Sequence, residues 1–336
     1  MKTYSLDTDN AFRINRNVYL FIIFLFLYLI AALRPFSVGT DTIDYMQGFI
    51  NQRTSIQSRN IGYNSISGFL HYFSNDPRFF LIIITLLIQL PIYYSVYKFT
   101  KFPVFGILVY GLLFYGHSLN ILRQFLVISL FYSFGIDFLL KRKLIYFLIF
   151  TAILVTIHEL AILFLPLYFI SRKLFSLKLY LIVWFVSFLF LLSNQISAVS
   201  SLFQQLDMFL RVYFASLPQY LLQVEERIRS DVSLNGAFLD QGVFLYAIYH
   251  FFFLRNKQLN ETSIIFFDIF FVGIIMQNLF IYIDVIQRVS LLFLFAITYV
   301  AANVIYPLKY RLLLLLVLGA LFYVRFVLNG ISGVFH

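Results

Sequence analysis

The chain is 336 residues long, 61% hydrophobic and 21% aromatic, and only 12% of its residues are charged. Soluble domains carry roughly twice that share of charge, and no polar stretch here is long enough to bury a core of its own. The net charge of +10 is dispersed through short loops rather than gathered into a stripe, which excludes a nucleic-acid partner and leaves a topology signal. Cysteine is absent, which excludes disulfides, thiol nucleophiles and cysteine metal sites.

Apolar runs of about 20 residues recur along the chain, so the expected fold is all-α. It would be one integral membrane domain over 1–336, a polytopic helical bundle of about ten to eleven spans. In chain order the candidate spans are 18–33, 79–97, 103–117, 120–140, 144–157, 158–171, 178–194, 237–254, 262–282, 287–306 and 310–328. The first run lacks a small-residue cleavage site and is expected to be retained as a span. The segment 144–171 reads either as one long tilted helix or as two short ones meeting at His158, and charge decides between them. With the N-terminus cytoplasmic and 144–171 folded as a hairpin, every short-loop basic cluster falls inside. These are Lys2, Arg13 and Arg16; Lys98 and Lys101; Lys141, Arg142 and Lys143; Arg172, Lys173 and Lys178; Arg255 and Lys257; and Lys309 and Arg311. One long helix would put Arg172, Lys173 and Lys178 outside and invert everything after them.

Two loops, 34–78 and 195–236, then lie outside. The first opens on Leu33-Arg34-Pro35-Phe36-Ser37-Val38-Gly39-Thr40-Asp41-Thr42-Ile43-Asp44-Tyr45, directly after an apolar run. Pro35 ends the helix, Gly39 allows a tight turn, and Asp41 and Asp44 offer carboxylates near Arg34. Further on, Tyr63, Ile66, Phe69, Leu70 and Phe73 recur at helical spacing. The second loop repeats the pattern: Leu202, Leu206, Phe209, Leu210, Tyr213 and Leu217 form one face, and Gln204, Asp207 and Arg211 the other. Both are expected to be amphipathic helices lying in the outer interface.

An ionisable group within a span costs at least roughly 2.5–3.5 kcal/mol on insertion scales, so each needs a partner or a wet cavity. Arg123, beside Gln124 in the first turn of 120–140, reads either as a snorkelling anchor or as a fork of donors for phosphate at a helix N-terminus. His158-Glu159, at the apex of the hairpin, reads either as a packing histidine or as a base with its acid. Asp284 and Arg288, four apart, read either as an intrahelical ion pair or as part of a polar mouth facing the same side as Arg34 and Arg123. Several arginines on one face suit a poly-anionic ligand, and a lipid-linked pyrophosphate meets that description best. The five histidines show no metal-ligand spacing, so no metal or other cofactor is expected.

In this order the residues resemble a known family. Arg34 to Tyr45 resemble the R-P-x-x-V-G-x-D-x-x-x-Y signature of the EpsG family of Wzy-like bacterial polysaccharide polymerases. The run Asn120-Ile121-Leu122-Arg123-Gln124-Phe125-Leu126, then Gly135 and Lys141-Arg142-Lys143, resembles the family's arginine-bearing span. Thr156-Ile157-His158 is similar to its histidine segment, and Arg288 occupies the place of a late arginine. Two positions depart from the pattern. Glu159-Leu160-Ala161 follows the histidine where a basic or polar residue and then serine are common, and Arg59-Asn60 precedes Gly62-Tyr63 where an acidic residue is common.

The resemblance implies a GT-C-like membrane glycosyltransferase that joins undecaprenyl-pyrophosphate-linked repeat units at the external face of the bacterial cytoplasmic membrane. It implies pyrophosphate or substrate contacts from Arg34, Arg123, Gln124, Arg211, Asp284 and Arg288, and a proton acceptor among Asp41, His158 and Glu159. The implied partners are the lipid-linked glycan donor and acceptor, membrane lipid, a chain-length regulator and a flippase. A lipid-linked oligosaccharide flippase, a polysaccharide ligase and a membrane acyltransferase are the alternatives.

Overall fold

The helix Pro77–Phe99 sets the scale of the molecule. Asp76 caps its N-terminus, its carboxylate accepting the Arg78 amide at 2.8 Å, and Pro77 takes the first helical position, where a missing N–H is no loss. Its 23 residues rise by roughly 34 Å, enough to cross a hydrocarbon core. The computed structural model describes residues 5–51, 60–170, 173–193, 235–254, 260–280, 284–304 and 308–323. Among these residues every regular element is helical. Three helices are long and apolar enough to span a membrane: Pro77–Phe99, Leu122–Leu140 and Glu261–Phe280. Shorter apolar helices surround them, Pro103–Leu113, Leu144–Ile157 and Leu177–Ser193 among them. The expected loop 195–236, with Arg211 and the proposed second interfacial helix, lies outside the described residues except at its end, where helix Asn235–Tyr249 begins.

Large apolar side chains face outward along these helices: Tyr19 and Phe26, Ile145, Ile149 and Ile153, Phe185 and Leu189. Such a belt is stable only where the surroundings are themselves apolar. Inside, side-chain hydrogen bonds join neighbouring helices. Trp184 Nε1 donates to Gln241 Oε1 at 2.8 Å, Gln241 Nε2 to Asn278 Oδ1 at 2.8 Å, and Gln277 Nε2 to Asp240 Oδ2 at 2.6 Å. Polar pairs of this kind hold apolar helices in register where burial of apolar surface gives no preference.

Residues 144–170 form a hairpin. Phe147 and Tyr168 lie eleven and ten positions either side of His158 (counted from), and their rings are 5.3 Å apart, so the two legs run antiparallel. The second leg, Glu159–Phe169, is a 3₁₀ helix rather than an α-helix. His158 stands between the legs, in extended conformation, and not inside either one. A π-turn at Phe131–Gly135 in Leu122–Leu140 accompanies the contact that seats the hairpin: the Phe131 ring stacks on Phe164 with centroids 3.6 Å apart and also meets Phe147 at 6.3 Å.

The charged ends of the helices sort into two groups. At one end Lys98 pairs with Asp137, Asn303 bridges the Phe99 carbonyl and the Lys101 amide, and Arg311 lies over the Phe102 ring. The other end gathers Arg34, Arg78, Asp41, Arg123, His158 and Arg288.

A candidate anion site where four segments meet

The first helix, Ser5–Leu33, stops at Leu33 and leaves its last carbonyls without intrahelical donors. Two arginines satisfy two of them and the Arg34 carbonyl just beyond. Arg34 Nη1 donates to the Ala31 carbonyl, and Arg78 Nη1 to those of Ala32 at 3.3 Å and Arg34 at 2.6 Å. Arg34 Nη2 reaches across to the Leu119 carbonyl at 2.8 Å. This arginine is therefore a buried tie between two segments. Asp41 and Asp44, expected beside it, lie elsewhere: Asp44 is exposed and Asp41 faces Arg288.

What carries Asp41 to Arg288 is the Gly39 turn. Gly39 has φ +91°, and a Cβ there would stand 2.8 Å from Thr42 Oγ1 and 3.2 Å from Asn120 Cα, so only glycine allows the turn to rest on Asn120. Asn120 Oδ1 then accepts the Asp41 amide at 2.9 Å. Asp41 follows in the first turn of helix Thr40–Ile50, its Oδ2 3.6 Å from Arg288 Nη1. Both side chains keep about a third of their surface exposed (30% and 39%). A pair so open holds little binding energy, so the carboxylate is only a weak competitor for Arg288.

Arg123 starts the long helix from Leu122. Its guanidinium lies 5.4 Å from the Tyr45 ring and 5.8 Å from the Tyr63 ring. Burial raises both phenols above their ordinary range, although the Arg123 charge pulls the other way, so both remain neutral. The Asn60 amide, turned so that both its ends are satisfied, accepts from Arg123 Nη1 at 2.6 Å and donates to the Ile157 carbonyl at 3.3 Å. Asn60 thus joins the arginine to the hairpin just before His158.

Helix Ile61–Phe73 brings in Tyr63. Its expected single apolar face is split in the structure: Tyr63, Ile66 and Leu70 turn inward, while Phe69 and Phe73 are exposed. Gly62 lets this helix touch the hairpin, because a Cβ there would lie 2.3 Å from Thr156 Oγ1 and 3.0 Å from the Thr156 carbonyl carbon. Gly62→Val is accordingly expected to push Tyr63 and Asn60 off Arg123, with a loss of about 1–3 kcal/mol from overpacking. Thermal unfolding in detergent measures it, and Gly48→Val, where a Cβ meets nothing within 4 Å, serves as the control.

Gln124 fixes Arg288 from behind, its Nε2 donating to the Arg288 carbonyl at 2.5 Å. His158 completes the set. The charges of both Arg123 and Arg288 act on its ring. Its Nδ1 accepts the Leu160 amide at 3.2 Å, so that nitrogen carries no proton and the ring is neutral. Of the other residues singled out in sequence, Glu159 opens the 3₁₀ leg, half-buried, with no ion pair to either arginine among the described residues. Asp284 begins helix Asp284–Leu294, but its side chain lies outside the described residues, as does all of Arg211. Asn60, Tyr45, Tyr63 and Asn120 join the site without having been assigned a role from sequence. Their signal was slight: Tyr45 closes the signature and Asn120 stands three positions before Arg123.

Two guanidinium forks, a carboxylate, a neutral imidazole and two phenol rings thus come from separate parts of the chain to one end of an apolar helical bundle. They define a multi-helix integral membrane protein with a cluster of ionisable side chains gathered at one end. The chain belongs to the EpsG family, whose model matches residues 17–334, nearly its whole length. That family comprises Wzy-like polysaccharide polymerases. Searches among curated proteins and among solved structures return no match.

Proposed function

We propose that this protein joins undecaprenyl-pyrophosphate-linked oligosaccharide repeat units into a surface polysaccharide at the outer face of the cytoplasmic membrane. The observation that carries this is the convergence of Arg123, Arg288, Asp41 and His158 from four segments. In the reaction, the bond from the donor sugar's anomeric carbon to the pyrophosphate oxygen breaks, and the electron pair leaves with the pyrophosphate. The acceptor sugar's hydroxyl oxygen forms the new glycosidic bond, and its proton passes to a base. Arg123 and Arg288 hold the leaving pyrophosphate and offset the charge that builds on it. Arg34, whose two terminal nitrogens already serve carbonyls, supports the loop instead.

The basic end of the bundle, with Lys98, Lys101 and Lys141 to Lys143, is assigned to the cytoplasm and the site end to the outside. This implies a cytoplasmic N-terminus and about ten to eleven crossings, the shorter apolar helices included. The chain has no cysteine, so single cysteines report without background. Those at Ser55 and Ser230 should react with a membrane-impermeant maleimide in intact cells, and one at Ser171 only after permeabilisation. Labelling of Ser171 from outside would reverse the orientation.

The activity itself is tested with purified protein in liposomes supplied with undecaprenyl-pyrophosphate-linked repeat units. A ladder of products differing by one repeat supports polymerisation. Transfer of preformed glycan only to a different acceptor would identify a ligase, and movement of the intact lipid between leaflets without new bonds a flippase.

A further inference from the structure

We propose that His158 serves the pyrophosphate and not the acceptor hydroxyl: its imidazole is the Nε2–H tautomer, a neutral donor aimed at the anion held by Arg123 and Arg288. The ring's own hydrogen bond shows why. His158 is the N-cap of the 3₁₀ leg, and its Nδ1 accepts the amide of Leu160 at 3.2 Å. An amide N–H can only donate, so Nδ1 carries a lone pair and no hydrogen. A proton at Nδ1, in the other tautomer or in the imidazolium, would set two hydrogens against each other and release the cap. The single hydrogen of the neutral ring therefore sits on Nε2, which has no lone pair in the ring plane with which to take a proton.

The surroundings agree with this. Arg123 and Arg288 are the charged groups acting on the ring, and both disfavour a third positive charge. A neutral imidazole kept as a donor at the start of a helix is a known means of stabilising negative charge as it develops. The proton of the acceptor hydroxyl then falls to a carboxylate. Asp41 is the one the fold places against Arg288, its backbone fixed by Asn120. When a phosphate oxygen replaces Asp41 on Arg288, the carboxylate is released to take the proton, while His158 donates to the oxygen that receives the electron pair.

For its substrate this assignment rests on the polymerase reading; for its tautomer it rests on the His158 geometry alone. The test is ¹⁵N NMR of the full-length protein labelled at histidine, with the His158 signals identified by subtraction of a His158→Gln spectrum. The expected result is a neutral Nε2–H ring from pH 5 to 8 whose Nε2 resonance moves when inorganic pyrophosphate is added. An Nδ1–H ring, an imidazolium at neutral pH, or a ring indifferent to pyrophosphate would overturn the proposal. In the ladder assay, His158→Ala should lose about 10²–10³-fold, the cost of one donor to a developing oxyanion. His158→Gln, which keeps a donor near Nε2 but has no basicity, should recover at least about tenfold of that loss. Equal inactivity of both variants at normal protein levels would point to a base and against the proposal. Because the tautomer is read without turnover, a wild-type protein that makes no ladder would count against the polymerase reading alone.

Discussion

Arg123→Lys and Arg288→Lys should each leave single repeat units largely unpolymerised, a fall of about 10²–10³-fold in rate. Lysine keeps the positive charge, but it loses the planar fork that grips two oxygens of one phosphate at once. At position 123 it loses more, because the flat guanidinium also lies against the rings of Tyr45 and Tyr63 and donates to Asn60. Each such ring contact contributes about 0.5–2 kcal/mol, depending on how dry it is. Arg142→Lys, in the basic loop at the other end, is the control and should polymerise normally. Polymer length on gels, normalised to protein in the membrane, is the measurement. Normal ladders from both lysine variants would mean that the two arginines are anchors and that the site lies elsewhere.

Asp41→Asn is expected to separate binding from turnover. The amide cannot take the acceptor's proton, so turnover should fall by about 10²–10⁴-fold, the usual worth of a positioned base. Yet the same change removes the anion that stands in front of Arg288, so inorganic pyrophosphate should bind the variant as well as the wild type or a few-fold more tightly. The backbone amide of residue 41 still reaches Asn120 in the variant, which preserves the turn. Calorimetry with pyrophosphate and a single-turnover ladder assay measure the two quantities. Weaker binding together with lost turnover would mean that Asp41 maintains the loop and is not a base.

Much of this site was legible in the sequence because lipid makes charge conspicuous. Arg123, Arg288 and His158 stand in apolar runs where an ionisable side chain is costly, and Asp41 follows a glycine turn right after one. The hairpin was legible too, since only a reversal at His158 kept Arg172, Lys173 and Lys178 with the other basic residues. The carbonyl contacts of Arg34 were not legible for a physical reason: a sequence does not tell which guanidinium will be drawn to the open carbonyls at the end of its own helix. The roles of Asn60 and Asn120 were hardly legible. Neither is charged, and each acts on a residue distant in the chain, Asn120 on Asp41 across 79 positions. The departure at Arg59-Asn60 was visible, but that the Asn60 amide would bridge Arg123 to the hairpin depended on a close approach at Gly62 and Thr156.

The shortness of the hairpin legs sets the depth of the candidate site. The first leg has 14 residues and climbs roughly 21 Å, against roughly 34 Å for Pro77–Phe99. Both have an end in the basic layer that holds Lys98 and Lys143, so the His158 apex stops short of the Pro77 end of the longer helix by about 13 Å at most. If the reaction takes place beside His158, as proposed, it takes place at a recessed point rather than on a ledge. A donor would lower its pyrophosphate to that depth from the headgroup layer, and a sugar hydroxyl would follow from above. Solvent is the rival nucleophile in such a transfer, and a recessed site occupied by two glycans has little room for it. Recession would favour chain extension over wasteful hydrolysis of the lipid carrier.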